Sequence, residues 1–232
     1  MEPLKLSKEK YKKIFADNYE GKTIRVFISY SSTEKTFAGA VKEFLEKYGL
    51  SIFLAHEDIR PTVDWQEEII HNLKGCDVFI PMVTQSFSIS EWTDQETGMA
   101  IALDKFIVPL KLGKDPYGFI GRRQACKFDY ENIKESCLKI IQVIKDNSLF
   151  RESVKDCLLR SLDKAYSFDN ATEIIKELET FETFTKDQAN QTIRISIRNN
   201  QVRMCREGQK FLELVSKKYN SKIDSDLKGG LR

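Results

Sequence analysis

The sequence predicts a doubly wound parallel sheet of flavodoxin-like α/β class, followed by an all-α C-terminal region. Short apolar segments rich in β-branched and aromatic residues alternate with amphipathic helical segments between residues 23 and 146. Strict alternation of this kind is typical of a parallel sheet with helices on both faces. From about residue 147 helical periodicity takes over, and the composition shift predicts a boundary there.

Five segments are predicted to form the strands of this sheet. TIRVFISY (23–30) is β-branched and aromatic, and CDVFIPMVT (76–84) is almost wholly apolar, as expected for a central strand covered on both faces. Pro81 within the second of these segments is tolerable at a bulge or a strand end. The remaining predicted strands are 50–54, 105–112 and a weak fifth strand at 125–128.

Helical segments fill the intervals between the strands. Ser32 and Thr33 are candidate N-caps for the first of them, and Gly49 and Gly75 are expected to end the first and second. The segment from residue 55 to residue 64 contains Pro61 and is predicted to be a loop. The predicted helices are 37–45, 65–73, 91–104 and 131–146, with a short amphipathic helix at 7–19 before the first strand.

The C-terminal region is predicted to contain four helices. Asp169 or Asn170 is expected to cap the second, and Thr185 or Lys186 to open the third. Thr192 to Ile197 could instead form a strand, although helix is favoured, and Gln201 to Tyr219 is predicted as one helix. The chain is therefore divided into an N-terminal helix (1–21), an α/β domain (22–146), a helical region (147–220) and a loose tail (221–232).

Composition narrows the class of protein. The hydrophobic share of 41% and the charged share of 31% are those of a soluble globular chain. No apolar run approaches the roughly 20 residues of a membrane span, and the N-terminus lacks the pattern of a secretion signal. We expect a cytoplasmic protein that does not contact a membrane.

Cysteine and histidine usage excludes several kinds of site. The five cysteines are an odd number, widely scattered and without a CxxC pair, which argues against a disulfide framework and against zinc. The chain has only two histidines, His56 and His71, and they stand in different contexts, so a histidine-based metal cluster or a Ser/His/Asp triad is poorly supplied. No metal and no cofactor are expected, so any chemistry must use carboxylates or hydroxyls.

Basic residues concentrate at the C-terminal end. Residues 191–232 hold ten Lys or Arg against four Asp or Glu, whereas the whole chain has a net charge of only +2. Basic and aromatic residues are not interleaved there, so a solvated helix face is favoured over nucleic-acid binding.

The fold class predicts where a ligand binds. In open α/β sheets the ligand lies beyond the carboxyl ends of the strands, here between the first and third strands. The first strand runs into Tyr30, Ser31 and Ser32, and the third runs toward the helix that contains Trp92 and Glu96. Since Trp92 and Glu96 are four residues apart, they share one face of that helix and could present an aromatic wall and a carboxylate to one ligand.

Other occupants of this fold class lack their required residues. A response regulator needs an acidic pair after the first strand, where this chain has Tyr30 and Ser31. Neither the GxGxxG motif of dinucleotide-binding oxidoreductases nor the GxxxxGK[ST] motif of P-loop enzymes is present.

Several segments together resemble the Toll/interleukin-1 receptor (TIR) family, in particular the NAD-consuming type found in bacteria. The resemblance covers about half of the chain, in family order. Its segments are RVFISYSSTEKTFA (25–38), FLAHEDIRPTVDWQEEI (53–69), CDVFIPMVTQSF (76–87), SEWTDQETGMA (90–100) and IVPL (107–110).

The resemblance implies roles for particular residues. The family's WxxxE segment places the catalytic glutamate at Glu96 and its tryptophan at Trp92. It further implies that NAD⁺ contacts Tyr30, Ser31 and Ser32 at the pocket floor, and Arg60 and Trp65 beside it. Ala55 and Thr62 depart from the family pattern, where bacterial relatives usually have Asp and Gly.

The implied reaction is cleavage of the bond between nicotinamide and ribose, with NAD⁺ as substrate. A carboxylate stabilises the oxocarbenium-like centre that forms, and the neutral nicotinamide leaves without a general acid. Capture by water gives ADP-ribose, and capture by a group of the same substrate gives a cyclic ADP-ribose isomer. Such enzymes act in bacterial antiphage defence or cell-death signalling, where a downstream effector senses the product.

Two non-enzymatic alternatives stay open. A TIR scaffold or adaptor acts through contacts between TIR domains, and a host-directed effector acts on the signalling of another organism. Adaptors commonly lack the glutamate, so Glu96 favours the enzyme. TIR enzymes assemble before they act, and we hypothesise that the helices at 147–220 govern self-association or sensing.

Overall fold

The structure, a computed structural model, describes residues 22–55 and 65–219. The predicted helix at 7–19, the loop at 56–64 and the tail at 221–232 lie outside the described residues. The strands are β1 (Arg25–Ser29), β2 (Ser51–Leu54), β3 (Val78–Val83), β4 (Phe106–Ile107), β5 (Leu110–Lys111) and β6 (Cys126–Lys127). The helices are α1 (Lys35–Glu46), α2 (Trp65–Gly75), α3 (Glu91–Ala102), α4 (Ile133–Asp146), α5 (Arg151–Asp163), α6 (Phe168–Glu179), α7 (Lys186–Arg198), α8 (Asn200–Met204) and α9 (Arg206–Tyr219).

The strands form one parallel sheet in the order β2-β1-β3-β5-β6, with β4 also paired to β3. The predicted flavodoxin-like sheet is thus confirmed. The single strand predicted at 105–112 is interrupted at Val108 and Pro109, which separate β4 from β5. Proline has no backbone N–H and cannot continue the ladder as a donor, although the Pro109 carbonyl still accepts from the Cys126 amide at 2.8 Å.

Alternation along β1 divides the core between the two faces of the sheet. Val26 and Ile28 belong to the larger apolar cluster, which includes residues of α1, α4 and the C-terminal helices. Phe27 belongs to the smaller cluster, with residues of α2 and α3. Successive side chains of a strand point to opposite faces, so each residue of β1 contacts one helical layer only.

The C-terminal helices pack onto the sheet's larger cluster, which continues without a break past residue 147. Arg160 of α5 is 6% exposed, and its guanidinium donates to the carbonyl oxygens of Lys22 and Gly49 at 3.5 and 3.4 Å. Gly49 has a φ of +82°, and a Cβ there would lie 2.1 Å from the Cys157 carbonyl oxygen. The loop after α1 and helix α5 are therefore in direct backbone contact, which only glycine permits at this position.

Predictions for the third and fourth C-terminal helices had mixed outcomes. Residues 192–197 are helical, as favoured, and Thr185 caps α7 in a capping box with Gln188. The single helix predicted at 201–219 is wrong, because the extended backbone of Cys205 separates α8 from α9. A Cβ at Gly208 would lie 1.9 Å from the Val202 carbonyl oxygen, so the two helices meet in a turn too tight for any other residue.

Two predicted helix starts are wrong. Ser167 caps α6 by accepting from the Asn170 amide, because it precedes the first helical turn, whereas Asp169 lies inside that turn. Ser32 and Thr33 fall within a short 3-10 helix, and α1 begins at Lys35 without a side-chain cap. Within residues 22–55 and 65–219, no helix is long and apolar enough to cross a membrane.

Candidate active site

Helix α3 carries Glu96 against the carboxyl end of β1. The start of the helix is fixed by Thr93, whose hydroxyl lies within hydrogen-bonding distance of the Phe87 and Ser90 carbonyl oxygens, at 2.6 and 2.9 Å. One turn further on, the Glu96 side chain is only 2% exposed. Among the described acidic residues, Glu96 alone is buried.

Ser29, the last residue of β1, holds the Glu96 carboxyl group. Its hydroxyl donates a hydrogen bond to Glu96 Oε2. The second oxygen, Oε1, is buried and has no hydrogen-bond partner among the described residues. An unsatisfied buried carboxyl oxygen costs free energy, and such groups call for an explanation in function or in a bound ligand.

Burial raises the pKa of Glu96 from its usual 4.5 to about 7, and the hydrogen bond from Ser29 partly offsets the rise. Removing a carboxylate from water disfavours its charged form, whereas a donor directed at it favours that form. The acid and the carboxylate are consequently both populated near neutral pH. A pKa poised in this range is common for catalytic carboxyl groups.

A cavity of about 170 Å³ lies between α2 and α3, with Glu96 in its wall. Trp92 lines the same cavity, so the predicted shared face of Trp92 and Glu96 is confirmed. The rest of its lining is Gln66, Ile69, Ile70, Leu73, Gln95 and Met99. The cavity is smaller than the roughly 300 to 1,000 Å³ of sites that bind drug-sized ligands. A ligand of that size or larger would extend beyond it, and these residues would form only one wall of its site.

Larger cavities occur elsewhere in the described structure, including one of about 480 Å³ beside Arg160. We place the candidate active site at the smaller cavity because volume alone carries no chemistry. Glu96 combines burial, an unsatisfied oxygen and a raised pKa, and it lies beside the carboxyl end of β1. This is the position at which open α/β sheets bind their ligands.

Trp65 and Trp92 form an aromatic pair next to the cavity. Their ring centroids are 4.2 Å apart and the rings meet edge to face at 67°. Trp65 is 39% exposed, so this predicted site residue presents an aromatic surface to solvent beside Trp92. Aromatic faces of this kind can stack on a planar heterocycle.

Three other predicted site residues, Tyr30, Ser31 and Ser32, do not line this cavity. Tyr30 is fully buried in the larger cluster, on the face of the sheet opposite Phe27. The Ser31 carbonyl oxygen accepts from the Glu34 amide at 2.8 Å, and Ser32 is exposed. Their contacts with a substrate stay predictions, and Arg60 lies outside the described residues.

Ser29 is the site residue that sequence reasoning missed. The signal was available in the alternation of β1, since Phe27 and Ser29 share a face and Tyr30 points to the other. The sequence prediction took the residues that follow the strand. It therefore named Tyr30 and left out Ser29, the last residue of β1, which points to the opposite face. A one-residue shift of this kind exchanges the two faces of a strand.

The loop that follows β5 packs against the start of α3. The Tyr117 hydroxyl donates to Asp94 Oδ1 at 2.6 Å, and the Lys114 ammonium donates to the Ser88 hydroxyl at 2.6 Å. Burial and the Asp94 carboxylate raise the pKa of Tyr117. The Asp94 carboxylate thus holds this loop against helix α3.

No group of three or more potential metal ligands occurs among the described residues.

Comparison with known proteins identifies the α/β part of the chain. A sequence model of the TIR domain family matches residues 26–140. The chain carries a TIR domain. The match spans β1 to the middle of α4, so both Ser29 and Glu96 belong to the TIR domain, whereas α5 to α9 follow it. A comparison with curated proteins gave no match.

Several solved structures are similar to part of this chain. The TIR domain of the Toll-related receptor TRR-2 from Hydra magnipapillata is 22% identical with a TM-score of 0.40, covering 54% of this chain and 94% of that one. The CMP N-glycosidase BcmB of Clostridium botulinum is 24% identical with a TM-score of 0.38, covering 50% and 97%. A 2-desoxiribosyltransferase from Leishmania mexicana is 15% identical with a TM-score of 0.33, covering 46% and 75%.

Proposed function

We propose that this protein is an NAD⁺-cleaving TIR enzyme that breaks the bond between nicotinamide and ribose, with Glu96 as the catalytic carboxylate. The single observation that carries the proposal is the state of Glu96. It is buried, held at one oxygen by Ser29, and without a described partner at the other oxygen. A solvated helix residue would have none of these properties.

The chemistry needs one negative charge in a place sheltered from water. When the C–N bond breaks, its electron pair goes to the positively charged nicotinamide ring, which leaves neutral, and positive charge develops at C1′ of the ribose. A carboxylate in a low-dielectric site stabilises that charge far more strongly than one in water. Water, or a nucleophile of the same substrate, then forms the new bond to C1′ and loses a proton to solvent, which gives ADP-ribose or a cyclic isomer.

The surroundings of Glu96 support a planar leaving group. The cavity wall is mostly apolar, and Trp92 stands on the same helix face as the carboxyl group. An apolar wall favours the neutral nicotinamide that forms over the charged ring from which it comes. Stabilising the product side of bond breaking in this way lowers the barrier to cleavage.

We further propose that the active form is an assembly. TIR domains commonly self-associate, and the cavity beside Glu96, at about 170 Å³, is too small to enclose a dinucleotide by itself. A neighbouring subunit would supply the remaining walls of the site. Activity should therefore rise more steeply than linearly with protein concentration. A scaffold that works through TIR contacts alone would associate without consuming NAD⁺.

The proposal is tested by incubating concentrated or bead-tethered protein with NAD⁺ and separating nicotinamide from the other product by chromatography. Glu96→Gln removes the charge while keeping the shape, and Glu91→Gln on the exposed start of the same helix is the matched control. We expect nicotinamide release by wild type and Glu91→Gln and a loss of about 100-fold or more in Glu96→Gln. Equal release by all three proteins, or association of the wild type without any release, would refute the enzymatic assignment.

A further inference from the structure

Another cavity, of about 390 Å³, lies on the helical side of the molecule. It is enclosed by the end of α4, the start of α5 and the segment 180–183 that joins α6 to α7. We refer to it as the basic cavity, because Lys145, Arg151 and Lys155 line it together with Phe181. It plays no part in the proposed reaction at Glu96.

Lys155 is a structural member of this cavity. It is 2% exposed, and its ammonium group forms an ion pair with Glu152 at 2.7 Å and donates to the Thr183 carbonyl oxygen at 2.8 Å. The same ammonium lies 5.7 Å from the centre of the Phe181 ring. A buried charge with a carboxylate and a carbonyl oxygen as partners is well compensated.

Lys145 is not compensated in the same way. It is 7% exposed, and its ammonium donates to the Thr180 hydroxyl at 2.9 Å and lies 5.3 Å from the Phe181 ring centre. No described carboxylate lies within 4.0 Å of it as an ion-pair partner. An ammonium has three N–H donors, and burying one beside a hydroxyl and a ring leaves its charge without a counterion.

The acidic residues that line the basic cavity do not neutralise Lys145, so its positive charge is available to an anionic ligand. Arg151 is exposed, and its Nε donates to the Lys145 carbonyl oxygen at 3.5 Å, so its guanidinium lies at the same turn of α4. Of the acidic lining residues, Asp146 accepts from the Gln142 side chain at 2.7 Å, and Glu182 is exposed. Lys145 and Arg151 are therefore the two cations of the basic cavity that a ligand can engage.

We propose that the basic cavity binds a phosphate group, either as free phosphate or as part of a small phosphorylated metabolite. Lys145 supplies the buried counter-charge at its floor, and Arg151 closes on the outer oxygens as a two-pronged donor. Guanidinium and ammonium groups are the usual protein ligands of phosphate, and their hydrogen bonds to it are charge-assisted. The bound group would connect α4 at the end of the TIR domain to the segment that precedes α7.

Occupation of the basic cavity should stabilise the packing of the C-terminal helices. A ligand that binds only the folded state raises the melting temperature in proportion to the logarithm of its concentration. Removing the uncompensated charge has a different consequence. Lys145→Met should fold with a melting temperature equal to or above that of the ligand-free wild type, because a buried unpaired ammonium is replaced by an apolar side chain of similar length.

The test is calorimetric titration of the full chain with inorganic phosphate, adenosine monophosphate and acetate. The ionic strength is the same in all three titrations and is adjusted with a chloride salt. We expect saturable binding of inorganic phosphate or the nucleotide by wild type, at least tenfold weaker binding by Lys145→Met and by Arg151→Gln, and unchanged binding by Lys139→Met. Lys139 is an exposed lysine of the same helix and is the matched control.

The arms of the titration also separate the sources of the phosphate group. Tighter binding of the nucleotide than of inorganic phosphate assigns the cavity to a phosphorylated metabolite, and the reverse order assigns it to the free ion. The proposal is overturned if neither probe binds, if acetate binds as tightly as phosphate, or if both variants bind like wild type. Arg151 is exposed, so Arg151→Gln gives a readout even where Lys145→Met does not fold.

Discussion

Replacing Glu96 with glutamine should make the free protein more stable at alkaline pH while removing its proposed activity. Burial raises the pKa of Glu96 to about 7 in the folded protein, compared with 4.5 for an unperturbed glutamate. The folded state consequently holds its proton more tightly than the unfolded state does. Stability contributed by this carboxyl group is fully present below pH 4.5, falls as the pH rises, and is lost above pH 7.

The size of this effect follows from the two pKa values. A difference of one unit corresponds to about 1.36 kcal/mol, so a rise from 4.5 to about 7 corresponds to about 3 kcal/mol at full ionisation. Between pH 5 and pH 8 the free energy of unfolding of wild type should fall by about 2 to 3 kcal/mol relative to that of Glu96→Gln. Glutamine keeps the shape and can still accept from Ser29, so the comparison isolates the charge.

Urea unfolding of wild type and Glu96→Gln at pH 5, 6, 7 and 8 measures this difference directly. Other titrating groups are common to both proteins and cancel in the comparison. Glu91→Gln on the exposed turn of the same helix serves as the control and should follow wild type at every pH. A difference between wild type and Glu96→Gln that stays constant from pH 5 to pH 8 would refute the assignment of a destabilising buried charge.

The remaining predictions concern Ser29 and two glycines. Ser29→Ala removes the hydrogen bond that lowers the pKa of Glu96, so the pH at which NAD⁺ cleavage is half-maximal should move upward in an activity profile; an unmoved midpoint would exclude Ser29 as a positioning residue. Gly49→Ala should lower the free energy of unfolding, measured with urea, by at least about 2 kcal/mol. Gly49 has a positive φ, and the new Cβ would lie 2.1 Å from the Cys157 carbonyl oxygen. Gly39 lies within α1 with no neighbouring atom close to its Cβ position, so Gly39→Ala should instead raise the free energy of unfolding by about 0.5 to 1 kcal/mol. Equal effects of the two substitutions would contradict the close approach of Gly49 to Cys157.

The sheet and its order were predictable because strand and helix periodicities alternate from β1 to β4, although β5 and β6 are joined without an α-helix. Apolar runs such as 76–84 identified central strands, and the sequence of the connections then limited the topology to a doubly wound sheet. The break at Pro109 was harder to foresee. A proline inside an apolar run is compatible with a bulge, an edge or an interruption, and neighbouring strands decide among them.

The candidate site was predicted in part. Trp92 and Glu96 could be placed on one helix face from their spacing alone, whereas the choice between Ser29 and Tyr30 depended on the phase of β1. The alternation of β1 places Ser29 on the same face as Phe27 and Tyr30 on the other, but which of these faces is covered by the helix that carries Glu96 is not local information. Burial of Glu96 is likewise a tertiary property, because it depends on α2 and β1 together.

The C-terminal helices show a similar limit. Their amphipathic faces predicted helices, and the faces are covered by the TIR domain's own core cluster. Contacts such as the one between Gly49 and Cys157 join residues more than 100 positions apart, and no pattern within either segment indicates them. Since the core is continuous, deleting residues 147–220 would expose it, and point substitutions are better tests of what these helices do.

The central claim is that the buried carboxylate of Glu96 cleaves NAD⁺, and the pH dependence of nicotinamide release tests it most directly. The value of kcat/KM should rise between pH 5.5 and 8.5 with a midpoint near the pKa of about 7, as Glu96 ionises in the free protein. The same rise should be absent from Glu96→Gln and present in Glu91→Gln. Nicotinamide release by Glu96→Gln at the wild-type rate, with the same midpoint, would contradict the claim.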